Sequence, residues 1–332
     1  MAKVYSCINW FPEVLEKVRY YHEMKIWEEE VQITRDVLIN NVTETEGVIA
    51  FEKFDAELMD NAPKLRVISN YGVGYDGIDV ASATKRNILV GNTPEVLSET
   101  TADLAFGLIL ASARHILEGD AAIRKGKWKH LGTFRYWGSE THKAIDVHHS
   151  TLGIIGLGRI GSLVAKRAKA CNMRVIYYDF STKPNLESLL DAEFFSDLKA
   201  LLSEADIISI HTPLTNETRN LIGTAEFAAM KPLTILINTA RSQIVDQEAL
   251  YEALKSKRIH GAALDVFEVE PISPDHPLLT LDNVIVTPHI GSATYNTRKK
   301  MMEIAVDNLL AGLSGERMPY CLNPSVYNKL TQ

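Results

Sequence analysis

Short runs of β-branched and aliphatic residues recur along the chain, and most are followed by a longer stretch with helix-like spacing of apolar positions. Such runs predict buried strands, and strands that alternate with helices predict parallel sheets with crossover helices on both faces. We therefore expect an α/β fold. The runs are VIAF (48–51), RVISN (66–70), ILVGN (88–92), TLGIIG (151–156), RVIYYD (174–179), DIISIH (206–211), TILINTA (234–240), AALDVF (262–267) and VIVTPH (284–289).

The alternation breaks once, after a helical stretch at residues 100–126. Residues 127–150 are rich in aromatic residues and histidine and have no period, which is typical of a functional segment or an assembly arm. A chain of 332 residues favours two compact units over one. The most economical division is 1–99 and 100–291. The last helical stretch, 297–316, ends at a glycine and could pack on either unit.

Composition adds mainly exclusions. A formal net charge of −7 leaves no broad basic face, so we expect no nucleic-acid partner. The N-terminus lacks the apolar core of a signal peptide and no apolar run reaches the length of a membrane span, so we expect no membrane association. Cysteine and histidine spacing predicts neither a disulfide framework nor a metal site, and a reducing cytoplasm fits best. The cysteines are Cys7, Cys171 and Cys321.

The chemistry begins with a glycine-rich turn. Gly156, Gly158 and Gly161 have G-x-G-x-x-G spacing and lie between a strand-like run and a helix-like run. In this context the first glycine allows a tight turn, the second lets a pyrophosphate approach, and the third lets the helix pack against the strand. The helix N-terminus adds free N–H groups and a positive dipole end. A dinucleotide site is predicted, and a glycine turn without a ligand is the alternative.

Asp179 ends the next strand, 18 residues beyond Gly161. An acidic residue at this place accepts hydrogen bonds from the adenosine ribose and repels a 2′-phosphate, which favours NAD over NADP. Lys183 and the loop FSTKP (180–184) would soften that preference. A solvated aspartate at a strand end is the alternative.

Four more polar residues lie at or shortly after the ends of strand-like runs: Arg241, Asp265, Glu270 and His289. The carboxyl ends of strands in an open parallel sheet meet at one crevice, so we expect these side chains to converge. An arginine fork suits a carboxylate, a histidine can protonate a ketone oxygen, and a carboxylate favours the protonated imidazole. Taken singly, each residue has an alternative role. Arg241 fits a surface ion pair, Glu270 the start of a turn, Asp265 a cap and His289 a hydrogen-bonded imidazole of the core.

Several longer stretches together resemble the D-isomer-specific 2-hydroxyacid dehydrogenase family, in particular its glyoxylate/hydroxypyruvate reductase branch. The similarity runs from about residue 45 to 320. The stretches are NYGVGYDGIDV, GNTPEVLSETTADLAFGLILASARH, TLGIIGLGRIG, SIHTPLTNETRNLIG, INTARSQIVDQEAL, AALDVFEVEP and HPLLTLDNVIVTPHIGSAT.

The resemblance implies roles for particular residues. Arg241, Glu270 and His289 would be the catalytic trio, and the backbone N–H groups of Val73 and Gly74 would hold the substrate carboxylate together with Arg241. A G-V-G turn after a strand is compatible with this role, because no side chain blocks the donors. The implied NAD-binding residues are Thr101, Gly156, Gly158, Arg159, Ile160, Gly161, Asp179, His211, Pro213, Thr239, Ala240, Asp265, His289 and Gly291.

The resemblance also implies an architecture: two Rossmann/flavodoxin-like, doubly wound parallel-sheet domains with an active-site cleft between them. Residues 1–99 with 292–332 would form the substrate-binding domain and residues 100–291 the NAD-binding domain. A homodimer is implied, with the arm at 128–150 reaching the partner subunit. Trp137 or Tyr136 would enter the neighbouring active site.

The expected function is NADH-dependent reduction of small 2-keto acids such as glyoxylate and hydroxypyruvate. Within the same family, D-3-phosphoglycerate dehydrogenase and 2-ketogluconate reductase activities stay open. Glu270 argues against formate oxidation and Val73 against phosphite oxidation, by comparison with those enzymes. A different class, an NAD-sensing scaffold like the C-terminal-binding corepressors, shares the fold and the trio.

Overall fold

The computed structural model describes residues 1–136 and 144–330. The chain divides into two compact units, Met1–Leu97 with Ala293–Gln332 and Ser98–Ser292. Each unit contains one parallel sheet with helices, which confirms the α/β fold. The strands are β1 Lys3–Ser6, β2 Glu23–Ile26, β3 Gly47–Ala50, β4 Val67–Asn70, β5 Leu89–Gly91, β6 Thr151–Ile155, β7 Arg174–Tyr178, β8 Ala192–Phe194, β9 Ile207–Ile210, β10 Ile235–Asn238, β11 Gly261–Leu264 and β12 Val284–Val286.

The helices occupy the connections between strands. They are α1 Pro12–Tyr21, α2 Arg35–Val42, α3 Ala56–Asp60, α4 Val80–Lys85, α5 Ser98–Ala113, α6 Ile116–Arg124, α7 Lys127–Leu131, α8 Thr133–Tyr136, α9 Arg159–Ala170, α10 Pro184–Leu190, α11 Leu198–Glu204, α12 Thr224–Ala229, α13 Gln247–Lys255, α14 Tyr295–Ser314 and α15 Tyr327–Leu330. No helix within residues 1–136 and 144–330 is long and apolar enough to cross a membrane.

The first unit is built on a five-stranded sheet of order β2-β1-β3-β4-β5. Helix α14 packs on this sheet, because its small and aliphatic residues approach the strands closely. A Cβ at Gly47 would lie 2.7 Å from Leu309 Cδ1, and one at Gly312 would lie 2.8 Å from Val67 Cγ2. The spacing of apolar residues left the partner of this helix open, whereas the family resemblance assigned it to the first unit. In the structure it packs on the first unit.

The second unit is built on a seven-stranded sheet of order β12-β11-β10-β9-β6-β7-β8. Strand β6 comes first in the chain but lies inside the sheet, so the strand order reverses between β6 and β9. Ligands of such sheets bind outside the carboxyl ends of the strands at this reversal. The residues that follow the strands there are Gly156, Asp179, His211, Thr239, Asp265 and Thr287.

Each of the nine strand-like runs overlaps an observed strand, and the structure adds β1, β2 and β8. Strands β2 and β8 lie at sheet edges and are partly exposed, so neither has a continuous apolar run. Strand β1 is largely buried, but its sequence KVYS mixes polar and apolar residues and so forms no apolar run.

Two expectations for residues 100–150 were wrong. The helical stretch 100–126 is two helices, because His115 adopts a left-handed backbone with φ of 51° between α5 and α6. The segment 127–150 was expected to be irregular throughout, yet it begins with α7 and α8. Gly126 and Gly132, with φ of 72° and 70°, separate these short helices.

Candidate active site

The glycine-rich turn joins β6 to α9 and fits a bound pyrophosphate. Gly156 has φ of 94°, and a Cβ there would lie 2.8 Å from Thr212 N. A Cβ at Gly161 would overlap the carbonyl oxygen of Gly156. At Gly158, by contrast, a Cβ would meet no protein atom within 4 Å. Protein packing therefore requires glycine at the first and third positions, whereas the open space at the second is available to a ligand.

Helix α9 begins directly at this turn. Its N-cap is Gly158, which has no side chain to accept a hydrogen bond from the first turn. Arg159 and Ile160 form the start of the helix, where backbone N–H groups make no hydrogen bond within the helix itself. These donors and the positive end of the helix dipole suit the phosphates of a dinucleotide.

Asp179 lies at the end of β7, beside the same turn. Its Oδ2 accepts a hydrogen bond of 3.1 Å from the backbone N–H of Leu157, the residue between the first two glycines. Lys183 Nζ lies 3.6 Å from Oδ1. A small pocket lies at this edge, lined by Ile155, Gly156, Tyr178, Asp179, Phe180, Thr212, Glu217, Thr218 and Leu221. The carboxylate thus lies beside the glycine-rich turn, in the lining of this pocket.

His211 and Pro213 follow β9, the strand beside β6. Burial lowers the pKa of His211 to about 3, so its imidazole is neutral near pH 7. Its Nε2 shares a hydrogen bond of 2.8 Å with Ser209 Oγ. The Pro213 carbonyl accepts a hydrogen bond of 2.7 Å from Thr218 Oγ1. His211 and Pro213 are therefore uncharged residues beside the glycine-rich turn, and His211 is not a proton donor near pH 7.

His289 and Glu270 form a hydrogen-bonded pair. The distance from His289 Nδ1 to Glu270 Oε2 is 2.7 Å, and Glu270 Oε1 accepts a hydrogen bond of 2.8 Å from the Phe267 N–H. Burial raises the pKa of Glu270, but these hydrogen bonds and the charges of His289 and Arg241 outweigh burial, so the net pKa is lowered. Glu270 is therefore ionised near pH 7. Because Nδ1 is held by this carboxylate, Nε2 is the ring nitrogen that can face a substrate.

The loop that carries His289 is organised by Asp265, at the end of β11. Asp265 Oδ1 accepts hydrogen bonds from Thr287 Oγ1 at 2.6 Å and from the Ile290 N–H at 2.8 Å, and Oδ2 accepts one from the Gly291 N–H at 2.8 Å. The Gly291 carbonyl in turn accepts a hydrogen bond of 3.1 Å from Thr101 Oγ1. These bonds hold the loop on both sides of His289, whose φ is 51°.

Asp265 itself is buried. Burial raises its pKa, and the bonds from the loop and the charge of His289 offset that rise only in part. Asp265, Thr101 and Gly291, which the family resemblance assigned to the cofactor site, thus form one hydrogen-bonded network next to His289. Thr287 belongs to this network and was not singled out from the sequence. The only feature of the sequence that could have identified Thr287 is its position as a polar residue in the T-P-H turn at the end of a strand.

Arg241 lies in the turn after β10, and the charge of its guanidinium is close enough to lower the pKa of Glu270. The turn is bracketed by Asn238, which the sequence reasoning missed. Asn238 Nδ2 donates to the Arg241 carbonyl at 2.9 Å, and its Oδ1 accepts from the Ala240 N–H at 3.0 Å. The guanidinium also donates to the Ala240 carbonyl at 2.8 Å. Among residues 1–136 and 144–330, Thr239 Oγ1 is one of the buried side-chain oxygens without a hydrogen-bond partner.

Val73 and Gly74 belong to the first unit and follow β4. Asn70 Nδ2 donates to the carbonyls of Gly72 and Gly74 at 3.0 and 2.9 Å, and Asn92 Nδ2 donates to the Val73 carbonyl at 2.9 Å. In a trans peptide the N–H points opposite to the preceding carbonyl. Because the Gly72 and Val73 carbonyls point toward these amides, the N–H groups of Val73 and Gly74 point away from them. The two asparagines, at strand ends, were not identified from the sequence.

No metal centre accompanies this arrangement in the described ranges, where no three His, Cys, Asp or Glu side chains stand close enough to hold an ion. The glycine-rich turn and the strand-end aspartate define a dinucleotide-binding domain, and the acid–base pair at the same sheet edge is typical of an oxidoreductase. Comparison with known proteins gives the same class of protein.

Residues 106–291 match the family model described as D-isomer specific 2-hydroxyacid dehydrogenase, NAD binding domain. A glyoxylate reductase of Korarchaeum cryptofilum is 46% identical over 314 residues, which cover 94% of this chain and 93% of that protein. A glyoxylate reductase of Pyrococcus horikoshii is 46% identical over 318 residues, covering 95% and 94%.

Solved structures are similar to this chain over nearly its whole length. A protein of Thermus thermophilus has a TM-score of 0.88 and 42% identity, covering 96% of this chain and 99% of its own. An NADPH-dependent glyoxylate/hydroxypyruvate reductase of Sinorhizobium meliloti, in complex with NADP and malonate, has a TM-score of 0.84 and 32% identity, covering 97% and 98%. The chain belongs to the D-isomer specific 2-hydroxyacid dehydrogenase family and contains its NAD-binding domain. The family, the enzyme class and the cofactor expected from the sequence are thereby confirmed.

Proposed function

We propose that this protein reduces small 2-keto acids of the glyoxylate and hydroxypyruvate type to D-2-hydroxy acids with NADH. The observation that carries the proposal is the Glu270–His289 pair, 2.7 Å apart, at the same sheet edge as the glycine-rich turn. Family membership supports it, since the relatives from Korarchaeum cryptofilum and Pyrococcus horikoshii are named glyoxylate reductases. An acid–base pair beside a dinucleotide site suits hydride chemistry on a carbonyl.

The catalytic roles follow from the chemistry of each group. Bound NADH supplies the hydride for the keto carbon. The Arg241 guanidinium binds the substrate carboxylate and polarises the ketone, because it is planar and permanently charged. Protonated His289 donates a proton from Nε2 to the ketone oxygen. Glu270 holds Nδ1 and stabilises the imidazolium before that transfer. The N–H groups of Val73 and Gly74 add two donors for the substrate carboxylate.

The cofactor roles are also proposals. The turn residues and the start of α9 would hold the pyrophosphate, and Asp179 would accept hydrogen bonds from the adenosine ribose. Asp265 would keep the His289 loop in register with the nicotinamide ring and face its carboxamide. The further lining residues are Thr101, His211, Pro213, Thr239, Ala240 and Gly291.

An absorbance assay tests the function directly. Purified protein should consume NADH in the presence of glyoxylate and hydroxypyruvate, and more slowly with pyruvate and 2-ketogluconate. The product should be the D-isomer where the carbon is chiral. If none of these keto acids supports NADH consumption while NADH binds, the proposed substrate class is wrong. If NADH does not bind, the proposed dinucleotide site is wrong as well.

We also propose a homodimer. Apolar side chains on α5 to α7 are between 36% and 58% exposed, which is typical of a surface covered by another subunit. They are Leu110, Ile116, Leu117, Ile123 and Trp128. The arm at 128–150 would extend this surface toward the partner. Trp137 and the side chain of Tyr136, expected to reach the neighbouring active site, lie outside the described residues.

Sedimentation velocity tests the dimer. Ile116 and Ile123 are seven positions apart and so share one face of α6. The double change Ile116→Glu with Ile123→Glu should convert the dimer to a monomer, because it places charges in an apolar interface. Leu189→Glu, at a side chain that is 78% exposed on α10, is the matched control and should stay dimeric. A monomeric wild type, or a double variant that stays dimeric, would contradict the proposal.

We place the protein in the cytoplasm. The three cysteines are all free, which suits a reducing compartment. Fractionation of the source cells, with the activity recovered in the cytosolic fraction, would test this placement.

A further inference from the structure

Asp179, which follows β7, lies beside Lys183, the N-cap residue of α10, and the two side chains carry opposite charges. Lys183 Nζ lies 3.6 Å from Asp179 Oδ1 and 3.2 Å from Ser181 Oγ, which it contacts by a hydrogen bond. We propose that Lys183 determines the coenzyme specificity of this protein and makes it accept NADPH as well as NADH. This inference rests on the proposed function, in which Asp179 faces the adenosine ribose.

The backbone of Lys183 is fixed, so its side chain starts from a defined place. The Lys183 N–H lies 2.7 Å from Tyr177 Oη and 2.9 Å from Glu187 Oε1, and Tyr177 Oη is hydrogen-bonded to the same carboxylate. Burial, together with the Glu187 carboxylate, raises the pKa of Tyr177 to about 12, so this phenol stays neutral. The loop after β7 is thereby tied to β7 and to α10.

The two charged groups differ in exposure and in the contacts that hold them. Asp179 is only 15% exposed, and its Oδ2 is held by the Leu157 N–H at 3.1 Å. Lys183 is 34% exposed, and its ammonium group ends a four-carbon stem. The carboxylate therefore keeps its position for the ribose, while the ammonium group can turn from the carboxylate to a neighbouring anion.

Charge then decides which coenzyme is tolerated. An isolated carboxylate at this place repels the 2′-phosphate of NADPH, whereas the Asp179–Lys183 pair has no net charge. With NADPH bound, Lys183 would contact the 2′-phosphate, and the Ser181 hydroxyl would offer a further donor. With NADH bound, the ribose hydroxyls would donate to Asp179. One loop can therefore bind both coenzymes, and Lys183 is the group whose contact differs between them.

Fluorescence titration of the full-length protein with NADH and with NADPH tests the inference through binding rather than activity. Wild type should bind the two coenzymes with Kd values within about tenfold of each other. Lys183→Met should weaken NADPH binding at least about tenfold and change NADH binding less than about threefold, because only NADPH carries the lost partner. Asp179→Asn should shift the ratio in the opposite direction, toward NADPH.

Lys166→Met is the matched control. Lys166 is an exposed lysine on α9, seven residues beyond its first residue, and the same change there should leave both Kd values as in wild type. The inference is overturned if Lys183→Met leaves the ratio of the two Kd values unchanged, or if wild type binds NADH but not NADPH. In either case glyoxylate reduction with NADH would still support the proposed function. If NADH itself fails to bind, the proposed function and this inference fall together.

Discussion

His289→Ala is expected to lower kcat for glyoxylate reduction by about 10²- to 10⁴-fold, while NADH still binds. The reason is the loss of the proposed proton donor, since the Glu270 carboxylate and the Arg241 guanidinium cannot protonate a ketone oxygen near pH 7. Steady-state kinetics and a fluorescence titration with NADH measure the two effects separately. If the variant loses NADH binding as well as activity, His289 has a structural role.

Two further variants separate the imidazole from its surroundings. His289 has φ of 51°, a backbone conformation that asparagine adopts more readily than alanine, so His289→Asn should lose activity without a backbone penalty. Glu270→Gln keeps the imidazole but removes the charge that favours its protonated form. Because the imidazole then lacks its anionic partner at Nδ1, kcat for glyoxylate reduction should fall while the Kd for NADH stays as in wild type. An unchanged kcat would remove Glu270 from the proposed acid–base pair.

Gly161→Ala is expected to lower the free energy of unfolding by about 1–3 kcal/mol, the usual range for overpacking a close contact. Its Cβ would overlap the Gly156 carbonyl oxygen and lie 3.1 Å from Ile154 Cγ2. Helix α9 would have to move away from β6, and the donors for the pyrophosphate would move with it. NADH binding should weaken at least about tenfold, equivalent to ~1.4 kcal/mol. Denaturant unfolding and a fluorescence titration check the two effects.

Two glycines provide matched controls for this prediction. A Cβ at Gly158 meets no protein atom within 4 Å, so in Gly158→Ala the free energy of unfolding should stay near that of wild type. The added methyl group would occupy the space proposed for the pyrophosphate, so NADH binding should weaken. Gly107→Ala lies in α5, where a Cβ also meets nothing within 4 Å, and it should stabilise the fold by about 1 kcal/mol with unchanged binding. Equal destabilisation by the changes at 158 and 161 would contradict the different roles assigned to these glycines.

Much of the fold was readable because its signals are local. The strands that lie inside the two sheets, apart from β1, carry apolar runs such as GVIA and IISI, which are buried from end to end in the structure. The runs failed at β2 and β8, where a sheet edge leaves polar residues exposed and the pattern disappears. They also gave no warning of the break at His115, since its left-handed backbone involves neither glycine nor proline.

The sequence by itself determined the α/β class, the glycine-rich turn and the residue types at the strand ends, because each depends on neighbours within a few positions. Only the tertiary structure decided which buried polar groups meet. It joined Glu270 to His289, gave Asp265 to the His289 loop, and used Asn70 and Asn92 to orient the turn at Val73. Such partners are far apart in the chain, and a buried donor or acceptor finds its partner only when the chain is packed.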